Sequence, residues 1–72
     1  MNINMVLKKY PKKFLEYFNI GNTLSNNKIN IYIGDSDKIY DSLINKDVYI
    51  VNSIDDIVTI LDFFYSIFVS EE

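Results

Sequence analysis

The sequence of 72 residues contains no histidine, cysteine, arginine, tryptophan, glutamine or alanine. Without histidine and cysteine, the chain lacks the commonest general base, thiol nucleophiles and the usual zinc ligands, and disulfide bonds are excluded. Without arginine, it lacks the side chain that reads guanine through two parallel hydrogen bonds. We therefore expect no enzyme, no metal ion, no cofactor and no direct nucleic-acid binding.

Glycine and proline are also scarce, with Gly21, Gly34 and Pro11 as their only positions. Because alanine and arginine are absent as well, residues with GC-rich codons are almost missing, whereas isoleucine, asparagine and lysine are abundant. The gene is therefore expected to be AT-rich. Such a composition is typical of a low-GC bacterium, its phages or plasmids, or an AT-rich virus.

The length predicts a single domain, residues 1–72, with a small core. A hydrophobic content of 49%, including six Tyr and five Phe, is too high for a disordered chain. Residues 57–69 form the longest apolar segment, which is interrupted by Asp62 and is shorter than the ~20 residues of a membrane-spanning helix. No secretory signal is visible, so we expect a cytoplasmic protein without a membrane partner; for a phage protein this is the host cytoplasm.

The net charge of -3 is unevenly divided along the chain. Residues 1–28 contain five Lys and one Glu (+4), whereas residues 29–72 contain two Lys and nine acidic residues (-7). The lysines concentrate in residues 8–13, where they predict a solvated helix face or a surface that pairs with the acidic half of this or another copy. Nucleic acid is the less favoured partner, because the acidic remainder would repel phosphates.

The clearest element is a C-terminal helix over residues 53–69. Ser53 can cap it, Asp55 and Asp56 suit its first turn, and apolar residues recur at helical spacing afterwards. In total, 11 of the 16 residues from 54 to 69 are apolar, which is more than one buried face requires. The surplus forms a second stripe that we interpret as an oligomer interface, comprising Ile60, Phe63 and Ile67.

Two strands and a helix are predicted upstream. Residues 28–33 alternate apolar and polar side chains, as in a half-buried strand, whereas Val48–Val51 is apolar throughout, as in a strand covered on both faces. Ile39, Tyr40, Leu43 and Ile44 favour a short helix between them. The fold class is therefore a small α/β (α+β) protein, with an N-terminal helix followed by β-α-β-α. The alternative makes residues 38–44 a strand, giving an α-β-β-β-α antiparallel meander.

The N-terminal helix contains Pro11. Either Pro11 kinks a helix that begins near residue 3, or it occupies the first position of a helix over residues 11–19, with residues 3–7 extended. In both cases the helix ends near Asn19, and Gly21 follows as a left-handed stop.

Acidic residues follow both predicted strands. In a parallel sheet these segments meet at one edge, where ligands of open α/β sheets bind. A carboxylate pocket for a hard cation is one interpretation, and ordinary turn and helix-cap residues are the other. A third is a surface that imitates phosphates and binds a protein with a basic surface. The candidate partner-binding residues are Asp35, Asp37, Asp41, Asp55, Asp56 and Asp62.

In its size, acidity, lack of catalytic residues and AT-rich composition, the chain resembles the small inhibitors that phages and mobile elements encode, such as anti-CRISPR proteins. This resemblance implies an inhibitor that occupies a basic groove of a host nucleic-acid-handling or defence protein. The alternatives are a structural or assembly protein that self-associates through the C-terminal helix, and a Mg-dependent phosphoryl or signalling module.

Overall fold

The computed structural model describes residues 2–39 and 47–71. These residues form an α+β fold of three α-helices, one three-stranded sheet and a 3₁₀ turn at Ser36–Lys38. The helices are α1 (Ile3–Leu7), α2 (Lys12–Leu15) and α3 (Ile54–Ser70), and the strands are β1 (Phe18–Gly21), β2 (Ile29–Ile33) and β3 (Val48–Val51).

The sheet has the order β1-β2-β3, and both neighbouring pairs are parallel. Ile31 of β2 is in register with Ile20 on one side and with Tyr49 on the other. The parallel pairing agrees with the β-α-β-α interpretation and shows that the antiparallel meander is wrong. The predicted helix between β2 and β3 falls largely on residues 40–46, outside the described residues.

The N-terminal region forms two short helices instead of one. The side chain of Asn2 caps α1 by accepting a hydrogen bond from the backbone N–H of Met5 at 3.0 Å. Pro11 is extended (φ -63°, ψ 147°) and immediately precedes α2. Residues 3–7 are thus helical, as the first alternative for Pro11 required, but α1 already ends at Leu7 and Pro11 precedes a second helix instead of kinking the first.

β1 was not predicted, because Phe14 and Phe18 continue a helical spacing. The helix predicted to reach Asn19 instead ends at Leu15, and Phe18 begins a strand that pairs with β2. Gly21 has a φ of 153°, which favours glycine, but it ends a strand and is not the stop of a helix. The long-range pairing with β2 overrides the local helical pattern.

The prediction for α3 is confirmed. Its first turn is capped by Ser53, whose Oγ accepts a hydrogen bond from the backbone N–H of Asp56 at 3.2 Å. Because only Asn52 and Ser53 separate β3 from α3, the helix folds back over the sheet. Among residues 2–39 and 47–71, no helix has the length and apolar character needed to cross a membrane.

The core lies between α3, the two N-terminal helices and one face of the sheet. Phe14 is at its centre, with ring centroids 5.1 Å from Phe18 and Tyr65 and 5.3 Å from Phe68. This aromatic packing joins α2, β1 and α3. The buried cluster consists of Val6, Tyr10, Phe14, Phe18, Ile31, Val51, Ile57 and Leu61.

The burial of β2 and β3 differs from the prediction. β2 is the central strand, and its alternate residues Asn30 and Tyr32 are buried, so the strand is covered on both faces and is not half-buried. β3 lies at an edge of the three-stranded sheet, where Tyr49 and Ile50 are each 42% exposed. The prediction that Val48–Val51 is covered on both faces is therefore wrong.

Candidate interaction surface

Two acidic segments lie side by side at the carboxyl edge of the sheet. The backbone N–H of Gly34 donates a hydrogen bond to the carbonyl oxygen of Val51 at 3.3 Å, so β2 and β3 end together. The residues that follow them carry four exposed carboxylates, which we name the acidic edge: Asp35, Asp37, Asp55 and Asp56. Asp41, also predicted for this surface, lies outside the described residues.

Local backbone geometry orients the acidic edge. Asp35 accepts a hydrogen bond from the backbone N–H of Asp37 at 3.0 Å and thereby caps the 3₁₀ turn. Asp55 and Asp56 occupy the first turn of α3, where the helix dipole stabilises negative charge. The cap and turn roles that the sequence suggested for Asp35 and for the start of α3 are thus present, and they leave the carboxylates facing solvent.

Asp62 lies two turns of α3 beyond Asp55. One of its carboxylate oxygens accepts a hydrogen bond from the hydroxyl of Tyr10 at 2.5 Å. Burial raises the pKa of Tyr10 above its ordinary value, and the hydrogen bond and the negative charge of Asp62 raise it further. Although Asp62 is exposed, one of its oxygens therefore contributes to the contact between the N-terminal helices and α3.

An apolar surface adjoins the acidic edge along α3. Phe63 is 63% exposed and Ile67 is 42% exposed, whereas Ile60 is partly buried against the core. The ring of Phe63 contacts Phe64 at a centroid distance of 5.4 Å, and Phe64 contacts Tyr49 of β3 at 5.8 Å. We name the exposed members of this surface the apolar flank: Tyr49, Phe63 and Ile67.

The apolar flank and the acidic edge are continuous. Asp56, Ile60 and Phe63 follow each other at spacings of four and three residues, which places them on one face of α3. The three predicted interface residues thus differ in exposure, and Tyr49 is an additional member of this surface. No local sequence signal identifies Tyr49, because its position beside Phe64 depends on the packing of α3 over β3.

Five exposed lysines lie in or beside the segments that lead into the amino ends of β1 and β2, whereas exposed Lys38 follows β2 next to the acidic edge. α2 leads into the amino end of β1 through only Glu16 and Tyr17, and Lys28 directly precedes β2. The charge asymmetry along the sequence is therefore kept in part by the fold, with four carboxylates and Lys38 after β2 and β3, and Lys28 and Asp47 before β2 and β3. We name this lysine surface the basic end: Lys8, Lys9, Lys12, Lys13 and Lys28.

Within the part of the chain that the structure describes, no group of three or more acidic side chains could hold a metal ion. The described carboxylates of the acidic edge thus face solvent without assembling the cation pocket that their sequence positions suggested. The comparison with family models, curated proteins and solved structures finds no match for this chain.

Proposed function

We propose that this protein is a binding module that attaches to another protein through the acidic edge and the adjoining apolar flank. The observation that carries the proposal is the parallel pairing of β2 and β3, which brings two acidic segments together at the start of α3, the helix that exposes Phe63 two turns further on. Protein interfaces commonly combine an apolar centre that includes aromatic residues with a polar rim. Phe63 and Ile67 would form the centre, and the acidic edge would form one side of the rim.

The partner that this surface fits is a protein with a basic groove. Four exposed carboxylates on one edge imitate the negative charges of a nucleic-acid backbone and steer the molecule towards positive potential. The basic end would be repelled by the same groove, so the two charged ends together select one orientation of approach. We infer that the partner handles nucleic acid.

In this proposal the protein is an inhibitor and not an enzyme. By occupying the groove, it would exclude the nucleic acid that the partner normally binds. This role suits a small phage- or mobile-element-encoded protein directed against a host defence system in the cytoplasm, such as a CRISPR effector.

Affinity capture tests this proposal. The tagged protein is incubated with lysate of a low-GC bacterium at low salt and again at high salt, and the retained proteins are identified by mass spectrometry. We expect one nuclease, polymerase or CRISPR effector to be retained at low salt, and we expect its binding to be weaker at high salt. Neutralising the basic end with Lys8→Gln, Lys9→Gln, Lys12→Gln and Lys13→Gln provides the matched control, and this variant should retain the same partner. Recovery of the bait alone would contradict the proposal.

The exposure of Phe63 and Ile67 also favours a second candidate, a structural subunit that self-associates through the apolar flank. Sedimentation of the parent and of Phe63→Asp over a range of concentrations separates the two candidates. Self-association predicts a parent oligomer that Phe63→Asp converts to a folded monomer. A parent that remains monomeric at all concentrations would rule out this second candidate.

A further inference from the structure

A cleft of about 210 Å³ opens at the amino edge of the sheet, opposite the acidic edge. Tyr17, Lys28 and Asp47 directly precede β1, β2 and β3, so the parallel pairing of the strands gathers them at this edge. Among the described residues, the lining consists of Tyr17, Asn26, Asn27, Lys28, Ile29 and Asp47.

The walls of the cleft are fixed by Asn30, whose side chain is fully buried beneath them. Its Nδ2 donates to the carbonyl oxygens of Ser25, Lys28 and Asp47 at 3.0, 3.1 and 3.2 Å, and its Oδ1 accepts from the backbone N–H of Ser25 at 2.8 Å. The backbone N–H of Asn30 also donates to the carbonyl oxygen of Asp47 at 2.8 Å. One buried amide therefore joins the loop before β2 to the residue that precedes β3.

A second backbone contact fixes the remaining wall. The N–H of Ile29 donates to the carbonyl oxygen of Tyr17 at 2.8 Å, which links the residue before β1 to the start of β2. The backbone on three sides of the cleft is thus held before any ligand arrives. Such preorganisation lowers the entropic cost of binding.

The charges of the lining restrict what the cleft accepts. A simple anion would be attracted by Lys28 but repelled by Asp47. A simple cation would be attracted by Asp47 but repelled by Lys28. A molecule that carries both charges satisfies both side chains, while the exposed ring of Tyr17 and the half-buried Ile29 offer apolar contact. At about 210 Å³ the cleft is smaller than the ~300–1,000 Å³ of pockets for drug-sized ligands, so a small molecule is required.

We propose that this cleft binds a small zwitterion, specifically a free α-amino acid with an apolar side chain. The ammonium group of the ligand lies near Asp47 and its carboxylate lies near Lys28 and the carboxamides of Asn26 and Asn27. Binding is weak, with a dissociation constant on the order of 1 mM, because both charged side chains of the protein remain exposed to solvent.

Titration of the ¹⁵N-labelled full chain with L-leucine, followed by amide chemical shifts, tests this proposal. We expect saturable shifts at the amides of residues 26–29 and 47. Two analogues each remove one charge of leucine: 3-methylbutan-1-amine lacks the carboxylate and 4-methylpentanoate lacks the ammonium group. Each should bind about tenfold more weakly than leucine, because it leaves Lys28 or Asp47 without its partner.

Variants of the lining provide the second arm of the experiment. Lys28→Gln and Asp47→Asn should each weaken leucine binding about tenfold, whereas the control variants Lys38→Gln and Asp37→Asn, at the other edge of the sheet, should bind leucine like the parent. Absence of saturable shifts with leucine would overturn the proposal. Equal binding of leucine and either analogue, or unchanged binding by both lining variants, would overturn it as well.

Discussion

The hydroxyl of Tyr10 donates a hydrogen bond to the carboxylate of Asp62 across 52 positions of the sequence. This bond attaches the connection between α1 and α2 to the middle of α3. Tyr10 is buried, and its ring contacts Tyr65 edge-on at a centroid distance of 5.6 Å. This hydrogen bond and the aromatic packing around it therefore hold the N-terminal helices on α3.

Replacing Tyr10 with phenylalanine removes this hydrogen bond while it keeps the aromatic ring. We expect the free energy of unfolding to fall by about 1 kcal/mol, because Asp62 is exposed and water can replace the hydroxyl. Urea denaturation followed by circular dichroism measures the change. Tyr17→Phe is the control, since Tyr17 is 58% exposed, and it should alter stability by less than about 0.5 kcal/mol. Equal stabilities of the two variants would contradict a stabilising role for this contact.

The same pair of residues predicts a loss of stability at alkaline pH. The pKa of Tyr10 is raised in the folded protein, so the folded state keeps the phenolic proton to higher pH than the unfolded state does. The resulting contribution to stability is present below the unfolded pKa of about 10 and is lost as the pH rises above that value. The stability difference between the parent and Tyr10→Phe should therefore be constant from about pH 8 to about pH 9 and smaller at about pH 11. A stability difference that stays constant from about pH 8 to about pH 11 would contradict a raised pKa of Tyr10 in the folded protein.

Asn30 is predicted to be essential for the fold. Asn30→Ala removes the amide that bonds the carbonyl oxygens of Ser25, Lys28 and Asp47 and the N–H of Ser25. We therefore expect a loss of stability of about 3 kcal/mol or more. For a domain of this size such a loss is a large fraction of the total stability. Asn26→Ala, at an exposed position of the same loop, should cost less than about 0.5 kcal/mol. If both variants unfold at the same urea concentration, the structural role of Asn30 is refuted.

The apolar flank and the core should respond differently to substitution. Phe63→Asp alters an exposed side chain and should change stability by about 0.5 kcal/mol or less, whereas Phe14→Ala, at a 2% exposed position, should cost about 3–5 kcal/mol. Thermal unfolding of the two variants measures this difference. Unfolding of Phe63→Asp would show that Phe63 belongs to the core.

Strong local signals explain which elements were predictable. The cap at Ser53 and the apolar spacing after it predict α3 to within one residue at each end. The alternation of apolar and polar side chains predicts β2. β1 could not be predicted, because its first residue, Phe18, continues the helical spacing of Phe14 and the segment becomes a strand only through pairing with β2. Sequence patterns therefore identify the elements whose stability is local.

The candidate surface was predictable in part for a similar reason. Asp35 and Asp55 follow two predicted strands, so their meeting at one edge depends only on parallel pairing. The contact of Tyr10 with Asp62 and the burial of Asn30 arise from long-range packing, and neither has a local signal. An alternating polar residue such as Asn30 indicates a solvent-facing side chain unless a loop covers it.

The affinity of the captured partner for two charge variants shows whether the acidic edge is the binding surface. In one variant the acidic edge is neutralised by Asp35→Asn, Asp37→Asn, Asp55→Asn and Asp56→Asn, and in the other the basic end carries four Lys→Gln changes at positions 8, 9, 12 and 13. We predict that the first variant keeps the parent's circular dichroism spectrum and binds the partner at least about tenfold more weakly, while the second binds no more weakly than the parent. Binding of the acidic-edge variant with the affinity of the parent would contradict the account.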